Sequence, residues 1–189
     1  MKKLISTALC GAILLGIVPA MAAESPIINN DFENGEIGFG ARGPASVELT
    51  DAAAYSGKES ILVSGRGSDA WNGISKSVVN DVKLDETYNA RMYVKAAEPD
   101  ASFTVKITME LQDDTGTDYI QAAAAKINGS EWTLVEGTWT SDYQGNLKML
   151  NFDIETDSDG IGQSFYVDNV FFAHSSVAKP AEQQPEAHA

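Results

Sequence analysis

Apolar residues recur along this chain at intervals of two. Ser102 to Glu110 reads S-F-T-V-K-I-T-M-E, so Phe103, Val105, Ile107 and Met109 face one way and polar residues the other. That is the pattern of a strand with one face on a core and the other in water. Leu150 to Glu155 repeats it: Leu150, Phe152 and Ile154 take the core side, while Asn151, Asp153 and Glu155 project from the opposite side, roughly 7 Å apart at successive steps. Thr87 to Lys95, Trp132 to Thr140 and Ser164 to Phe172 are further predicted strands, separated by Gly, Asn and Asp turns. Helical periodicity is nearly absent; the alanines of Gln121 to Lys126 form a run too short to stand alone as a helix. Many short strands without alternating helices predict an all-β fold, an antiparallel β-sandwich or jelly roll.

The two ends depart from this pattern. Lys2 and Lys3 precede an apolar run from Leu4 to Val18, and Ala20-Met21-Ala22 supplies small residues for cleavage. Residues 1–22 therefore read as a secretory signal peptide cut after Ala22; the run falls short of the roughly 20 apolar residues of a membrane span. Cys10 lies in mid-run behind the bulky Leu9, which does not suit a lipid-attachment site. The protein is then secreted, whether extracellular, periplasmic or on the cell surface. From His174 onward the chain has no aromatic residue and two prolines, so 174–189 is expected to be a disordered tail. What remains is one domain, 26–173, with no internal repeat. If that domain is a targeting module, its catalytic partner is expected on another chain.

Charge narrows the partners. The 189 residues carry 13 basic and 27 acidic side chains, a net charge of −14, and loss of Lys2 and Lys3 takes it to −16. Such a surface repels polyanions, which argues against nucleic acid and anionic membranes. The single cysteine lies in the leader, so the mature chain has no thiol for disulfides, catalysis or metal ligation. These features describe an acidic, soluble domain expected to act as a monomer.

Within it, Ala41-Arg42-Gly43-Pro44-Ala45 and Ala70-Trp71-Asn72-Gly73 stand out. A tryptophan beside an Asn-Gly turn is well placed as an exposed platform. A sugar ring presents an apolar C–H face and a hydroxyl rim, so its site needs an aromatic plane and planar polar groups. Arg42, Trp71, Asn151, Asp153 and Glu155 supply both if the fold gathers them. The alternative for Asn151, Asp153 and Glu155 is a plain solvated strand face. Asp153 and Glu155 have the separation of an inverting glycosidase pair, but one strand places them on the same side of a sugar, whereas acid and base must flank the bond. His174 and His188 lie at or beyond the domain edge, and no enzyme activity is expected. The run Glu155-Thr156-Asp157-Ser158-Asp159-Gly160 imitates a calcium loop, but Tyr166 stands where its closing glutamate belongs; it is read as a hairpin turn.

From about Asn30 to Phe172 the sequence resembles the family 22 xylan-binding carbohydrate-binding modules, within the wider group of bacterial jelly-roll modules. The resemblance is carried by Asp31-Phe32-Glu33-Asn34-Gly35, ARGPASVELT (41–50), AYSGKESILV (54–63), AWNG (70–73), the Asp-Thr-Gly-Thr-Asp-Tyr turn ending at Tyr119, Ile154-Glu155-Thr156 and Phe165-Tyr166-Val167-Asp168. It implies a non-catalytic cleft across one sheet in which Arg42, Trp71, Tyr119 and Glu155 contact a xylan or mixed-linkage β-glucan chain. Xylan-binding members can carry tyrosines two and four residues before the glutamate; here Asp153 and Asn151 stand there, at a cost on the order of 1 kcal/mol per lost stacking surface. The resemblance leaves Trp132 and Trp139 to packing. It also implies a structural calcium held by Glu33 and Asp168 side chains, with backbone carbonyls near Asp31 and Lys58. The remaining alternatives are a structural or interaction module on the same scaffold and, least favoured, a glycoside hydrolase.

Overall fold

The computed structural model describes residues 24–181. Its strands are β1 (Ile28–Asn30), β2 (Gly40–Arg42), β3 (Ser46–Thr50), β4 (Ser60–Ser64), β5 (Gly73–Ser77), β6 (Thr87–Ala96), β7 (Ser102–Gln112), β8 (Thr117–Asn128), β9 (Thr133–Thr140), β10 (Met149–Thr156) and β11 (Phe165–His174). They form two antiparallel sheets, the first ordered β3-β4-β11-β6-β9 with β1 also on β11, the second β2-β5-β10-β7-β8. This is the expected all-β sandwich. The signal-peptide reading of residues 1–22 lies outside the described residues.

The two-residue alternation translates directly into the core. Phe103, Val105, Ile107 and Met109 of β7 and Leu150, Phe152 and Ile154 of β10 are fully or almost fully buried. They meet Tyr88, Ala90, Met92 and Val94 of β6 and Phe172 of β11 in one core cluster, with the rings of Phe152 and Phe172 5.3 Å apart. Strand β6 alternates less cleanly in sequence because both of its faces are covered. On its outer face Tyr93 stacks on Tyr55 at 3.5 Å, and Arg91 donates to the Pro180 carbonyl.

That last contact bears on the first part of the expected tail, 174–181; residues 182–189 lie outside the described residues. His174 belongs to β11, and beyond it Lys179 Nζ lies 2.6 Å from Glu136. Residues 175–181 thus lie against the first sheet through polar anchors, which a reading based on missing apolar bulk could not see. The run from Glu155 to Gly160 is likewise no hairpin. β10 and β11 belong to different sheets, and the segment crosses between them through a 3₁₀ turn at Ser158–Gly160, with the Asp159 carboxylate capping Thr104 of β7.

The alanines of 121–126 extend β8, and Ala122 is its bulge opposite Ile107 and Thr108. Small side chains are needed where β8 and β9 bring the two sheet edges together. A Cβ on Gly137 of β9 would overlap the Ala122 carbonyl and press on the Ala123 Cβ. Gly137→Val is expected to cost about 1–3 kcal/mol by overpacking, read as a lower urea midpoint with an unchanged m-value.

Candidate functional site

The outer face of the second sheet is polar, and strand register lines its residues into rows. Tyr119 of β8 lies opposite Glu110 of β7, Glu110 opposite Asn151 of β10, and Asn151 opposite Ser77 of β5. In the next rows Thr108, Asp153 and Ser75 are neighbours, then Lys106 and Glu155. Two aromatic residues stand above this floor: Trp71, 47% exposed, in the loop entering β5, and Tyr119, 62% exposed, on the edge strand β8. From β5 to β8 is three interstrand steps, about 14 Å. The structure therefore gathers Arg42, Trp71, Tyr119, Asn151, Asp153 and Glu155 on one face, the condition that the sequence left to the fold.

Arg42 organises them. Its Nη1 donates to Glu155 Oε2 at 2.6 Å and to the Trp71 carbonyl at 2.9 Å. Its Nη2 reaches Glu110 Oε2 at 3.3 Å, its Nε lies 3.3 Å from Asp153 Oδ2, and the guanidinium sits 5.2 Å over the Trp71 ring. The Asn151, Asp153 and Glu155 face is thus no solvated strand face: Asp153 and Glu155 are buried beneath Arg42. Glu155 Oε1 also accepts from the Thr108 hydroxyl at 2.7 Å and lies 3.4 Å from Lys106 Nζ. Gly43 follows Arg42 with φ of +69°, and a Cβ there would collide with Asn72 and crowd the Trp71 ring. The sequence Arg-Gly-Pro is therefore what lets Arg42 and Trp71 meet.

Two carboxylates in this floor escaped the sequence reading or changed character in the fold. Glu110 has the sequence pattern of an ordinary polar position on β7; register alone puts it between Arg42, Asn151 and Tyr119. It accepts from Asn151 Nδ2 at 3.4 Å and from the Tyr119 hydroxyl, a bond that raises the pKa of Tyr119. Asp153 is completely buried, and neither of its oxygens has hydrogen-bond geometry with a donor among the described residues. Burial pushes its carboxyl up to about 6, against the pull of Ser75 and Arg42 and with help from the charges of Glu110 and Glu155.

A second arginine holds the Trp71 loop. Arg66 is fully buried and spends every N–H: Nε on the Asn72 carbonyl at 2.6 Å, Nη1 on the carbonyls of Gly160 and Gln163 at 2.7 and 3.1 Å, Nη2 on the Ala70 carbonyl and Thr156 Oγ1 at 2.9 and 2.8 Å. Its plane lies 5.2 Å over Phe165. Burial lowers its pKa to about 10, opposed by the charge of Glu155, and it stays protonated at neutral pH. Trp71 is thus the exposed tip of a loop pinned on both sides. The turn itself closes before Asn72, whose amide bonds the Asp69 carbonyl; Gly73 already belongs to β5. Trp139 is buried, and Trp132 packs its edge against Tyr55 and Tyr166, so both tryptophans serve packing.

At the far corner, Glu33 and Asp168 bracket the segment from Tyr55 to Glu59. Glu33 Oε1 accepts from the amides of Lys58 and Glu59, both at 2.7 Å. Asp168 Oδ2 accepts from Tyr55 and Ser56, and its Oδ1 from Asn169. Burial raises the Asp168 pKa to about 6, the Glu33 charge adds to the rise, and these amides oppose it. Asp31 sits beside them, its carboxylate turned to the Glu33 amide. Among the described residues no three His, Cys, Asp or Glu side chains converge on a metal position, so backbone carbonyls would have to complete any cation shell here.

An antiparallel sandwich carrying an open sheet face with aromatic walls and a hydrogen-bonding floor has the form of a glycan-binding module. The model of the carbohydrate binding domain family matches residues 25–160, and the chain belongs to that family. The endo-1,4-beta-xylanase C of Paenibacillus barcinonensis is 29% identical over 166 residues, 86% of this chain and 15% of that enzyme. The endo-1,4-beta-xylanase A of Thermoanaerobacterium saccharolyticum is 30% identical over 148 residues, 76% of this chain and 12% of that enzyme. The chain thus spans about 15% of the length of the curated relatives it matches. Among solved structures, the CBM22-1 xylan-binding domain of Paenibacillus barcinonensis Xyn10C aligns with a TM-score of 0.74 at 29% identity, covering 84% of this chain and 100% of that domain. The resemblance to family 22 modules read from the motifs therefore holds in three dimensions.

Replacing Arg66 with lysine keeps the charge and loses the fork that serves five acceptors. Arg66→Lys is expected to lower stability by about 2–4 kcal/mol, measured by urea unfolding. It should also quench the order of the Trp71 loop, seen as a shift of Trp71 fluorescence toward that of free tryptophan.

Proposed function

We propose that this chain is a secreted, monomeric, non-catalytic module that binds a neutral β-1,4-linked plant cell-wall glycan, xylan or a mixed-linkage β-glucan, across the polar face of its second sheet. The observation that carries this reading is the Arg42 guanidinium, held between the Trp71 ring and Glu155 in the middle of an open groove. In this reading a sugar ring stacks on Trp71 through its C–H face. Tyr119 forms the second wall. The carboxylate of Glu155, the amide of Asn151 and the guanidinium of Arg42 meet the hydroxyl rim, while Asp153 acts from below through Arg42. The xylan named for the Paenibacillus barcinonensis domain supports the same ligand class.

The arrangement suits binding better than hydrolysis. Glu155 is already engaged by Arg42, Thr108 and Lys106, and Asp153 is sealed beneath Arg42. Neither stands free to attack or protonate, and both rise from one strand, on one side of any sugar. A neutral ligand also fits three acids in the groove, where a polyanionic pectin would be repelled. Binding is therefore expected to change little with ionic strength.

The Glu33 and Asp168 corner fits a calcium ion, in that its donors are all hard oxygens and no lysine or arginine among the described residues pairs with either carboxylate. Glu33 and Asp168 would hold the ion, with carbonyls near Asp31 and Lys58. Its role would be to neutralise two facing charges and tie β1 and the 55–59 segment to β11, remote from the groove.

In affinity gel electrophoresis, soluble arabinoxylan or barley β-glucan is expected to retard the wild-type protein. Trp71→Ala and Glu155→Ala should each abolish that retardation without altering the far-UV spectrum; retardation of both variants equal to wild type would move the site elsewhere. Chelator is expected to lower the melting temperature by several degrees, restored by calcium and leaving affinity at 25 °C unchanged.

A further inference from the structure

The groove holds more negative than positive charge, and its members are packed against one another. Glu110 of β7, Asp153 and Glu155 of β10 all converge on the single guanidinium of Arg42 from β2. Lys106 of β7 adds a second cation, but at Glu155, and it shares itself with Asp157 at 3.2 Å. Asp153 has the poorest share. Glu155 receives Arg42 at 2.6 Å and the Thr108 hydroxyl at 2.7 Å, and Glu110 receives Arg42 and Asn151. Asp153 has Arg42 Nε at 3.3 Å and Ser75 of β5 as its other polar neighbour. It is also the most deeply buried of the three. The Tyr119 hydroxyl of β8 completes the set of titratable groups that face it.

We propose that Asp153 is a positioning residue whose carboxyl takes up a proton when a neutral glycan covers the groove, so that ligand binding and protonation are coupled. The inference rests on the binding reading above. A chain lying over Trp71 and Arg42 excludes the water that screens this cluster. In the drier groove, three carboxylates against one fully shared guanidinium and one half-shared lysine are costlier to keep charged. The relief that disturbs least is a proton on the carboxylate with the weakest hydrogen bonds. Protonation of Asp153 leaves Arg42 with Glu155, Glu110 and the Trp71 carbonyl, the contacts that hold the guanidinium against the ring.

The sign follows by linkage. The Asp153 carboxyl of the free protein already sits near 6, above the usual 3.8, so below about pH 5 it is protonated with or without ligand. From about pH 6, where it is half ionised when free, to pH 7, where it is mostly ionised, it gains a proton on binding. Affinity therefore rises as pH falls through this window and levels off below it; each half unit by which the complex raises that pKa gives about a threefold gain. Glycan binding that ignored this cluster would be flat across the same range.

The test is titration calorimetry of the protein with soluble arabinoxylan and with barley β-glucan at pH 6.5, in phosphate and in imidazole, whose heats of ionisation differ. Uptake of a substantial fraction of a proton, shrinking at pH 5 and pH 8.5, is expected, together with a severalfold tighter Kd at pH 5.5 than at pH 7.5. Asp153→Asn should bind with a Kd that does not vary over that range and with the same heat in both buffers. Binding of the wild type with equal heats in the two buffers overturns the proposal while leaving the binding function intact. Proton uptake that survives in Asp153→Asn overturns it too, assigning the proton to Glu110 or Glu155. Failure of both glycans to bind at every pH overturns the binding function itself, and this proposal with it.

Discussion

The five-donor knot at Arg66 is the interaction on which the working surface depends. A guanidinium taken wholly out of water is tolerable because each of its N–H groups meets a backbone carbonyl or hydroxyl, and because its charge serves to close the end of the sandwich where the two sheets exchange strands. Its acceptors lie in the loop that carries Trp71, at the end of β10 and in the crossover to β11. The loop can therefore present an aromatic ring to solvent without fraying. Removing the arginine would deprive its four carbonyl and one hydroxyl acceptors of a donor at once, and these five bonds let it stay buried and charged with no carboxylate of its own.

The second arginine, Arg42, is only partly buried and faces the opposite problem. Three carboxylates and the Trp71 carbonyl meet on it, so one positive charge is divided among three negative ones. The two arginines divide the labour. Arg66 fixes the backbone of the loop, and Arg42 fixes the orientation of the ring on it through contact with its face. Where aromatic side chains could have widened the stacking surface, this groove has an acid and an amide. They replace an apolar stacking surface with polar groups, one of them a carboxylate buried beneath Arg42.

Much of the fold was legible in the sequence. The alternation in β7 and β10 named their core faces residue by residue, because a pleated strand leaves a side chain only two directions to point. Trp71 is exposed as its Asn-Gly neighbours suggested, although the turn that presents it runs from Asp69 to Asn72 and Gly73 is already strand. Other features needed neighbours that are remote in sequence. The alanines of β8 are strand because Gly137 and the Ala122 bulge let two sheet edges converge. Residues 175–181 lie on the first sheet because Arg91 and Glu136 of other strands reach them. The crossover after Glu155 could not be told from a hairpin by composition, since both are short and rich in Asp and Gly.

The candidate site divides along the same line. Sequence alone determined which chemistry was on hand, and which of Asn151, Asp153 and Glu155 share a face, because strand periodicity is a local property of the backbone. Only the tertiary structure decided that this face is not solvated, that Glu110 belongs to it, that Arg66 sits beneath Trp71, and that Asp153 is the carboxylate left without a good partner. Each of these depends on register between strands or on a loop folded over them. Burial and pairing are set by residues dozens of positions away, and no local pattern records them.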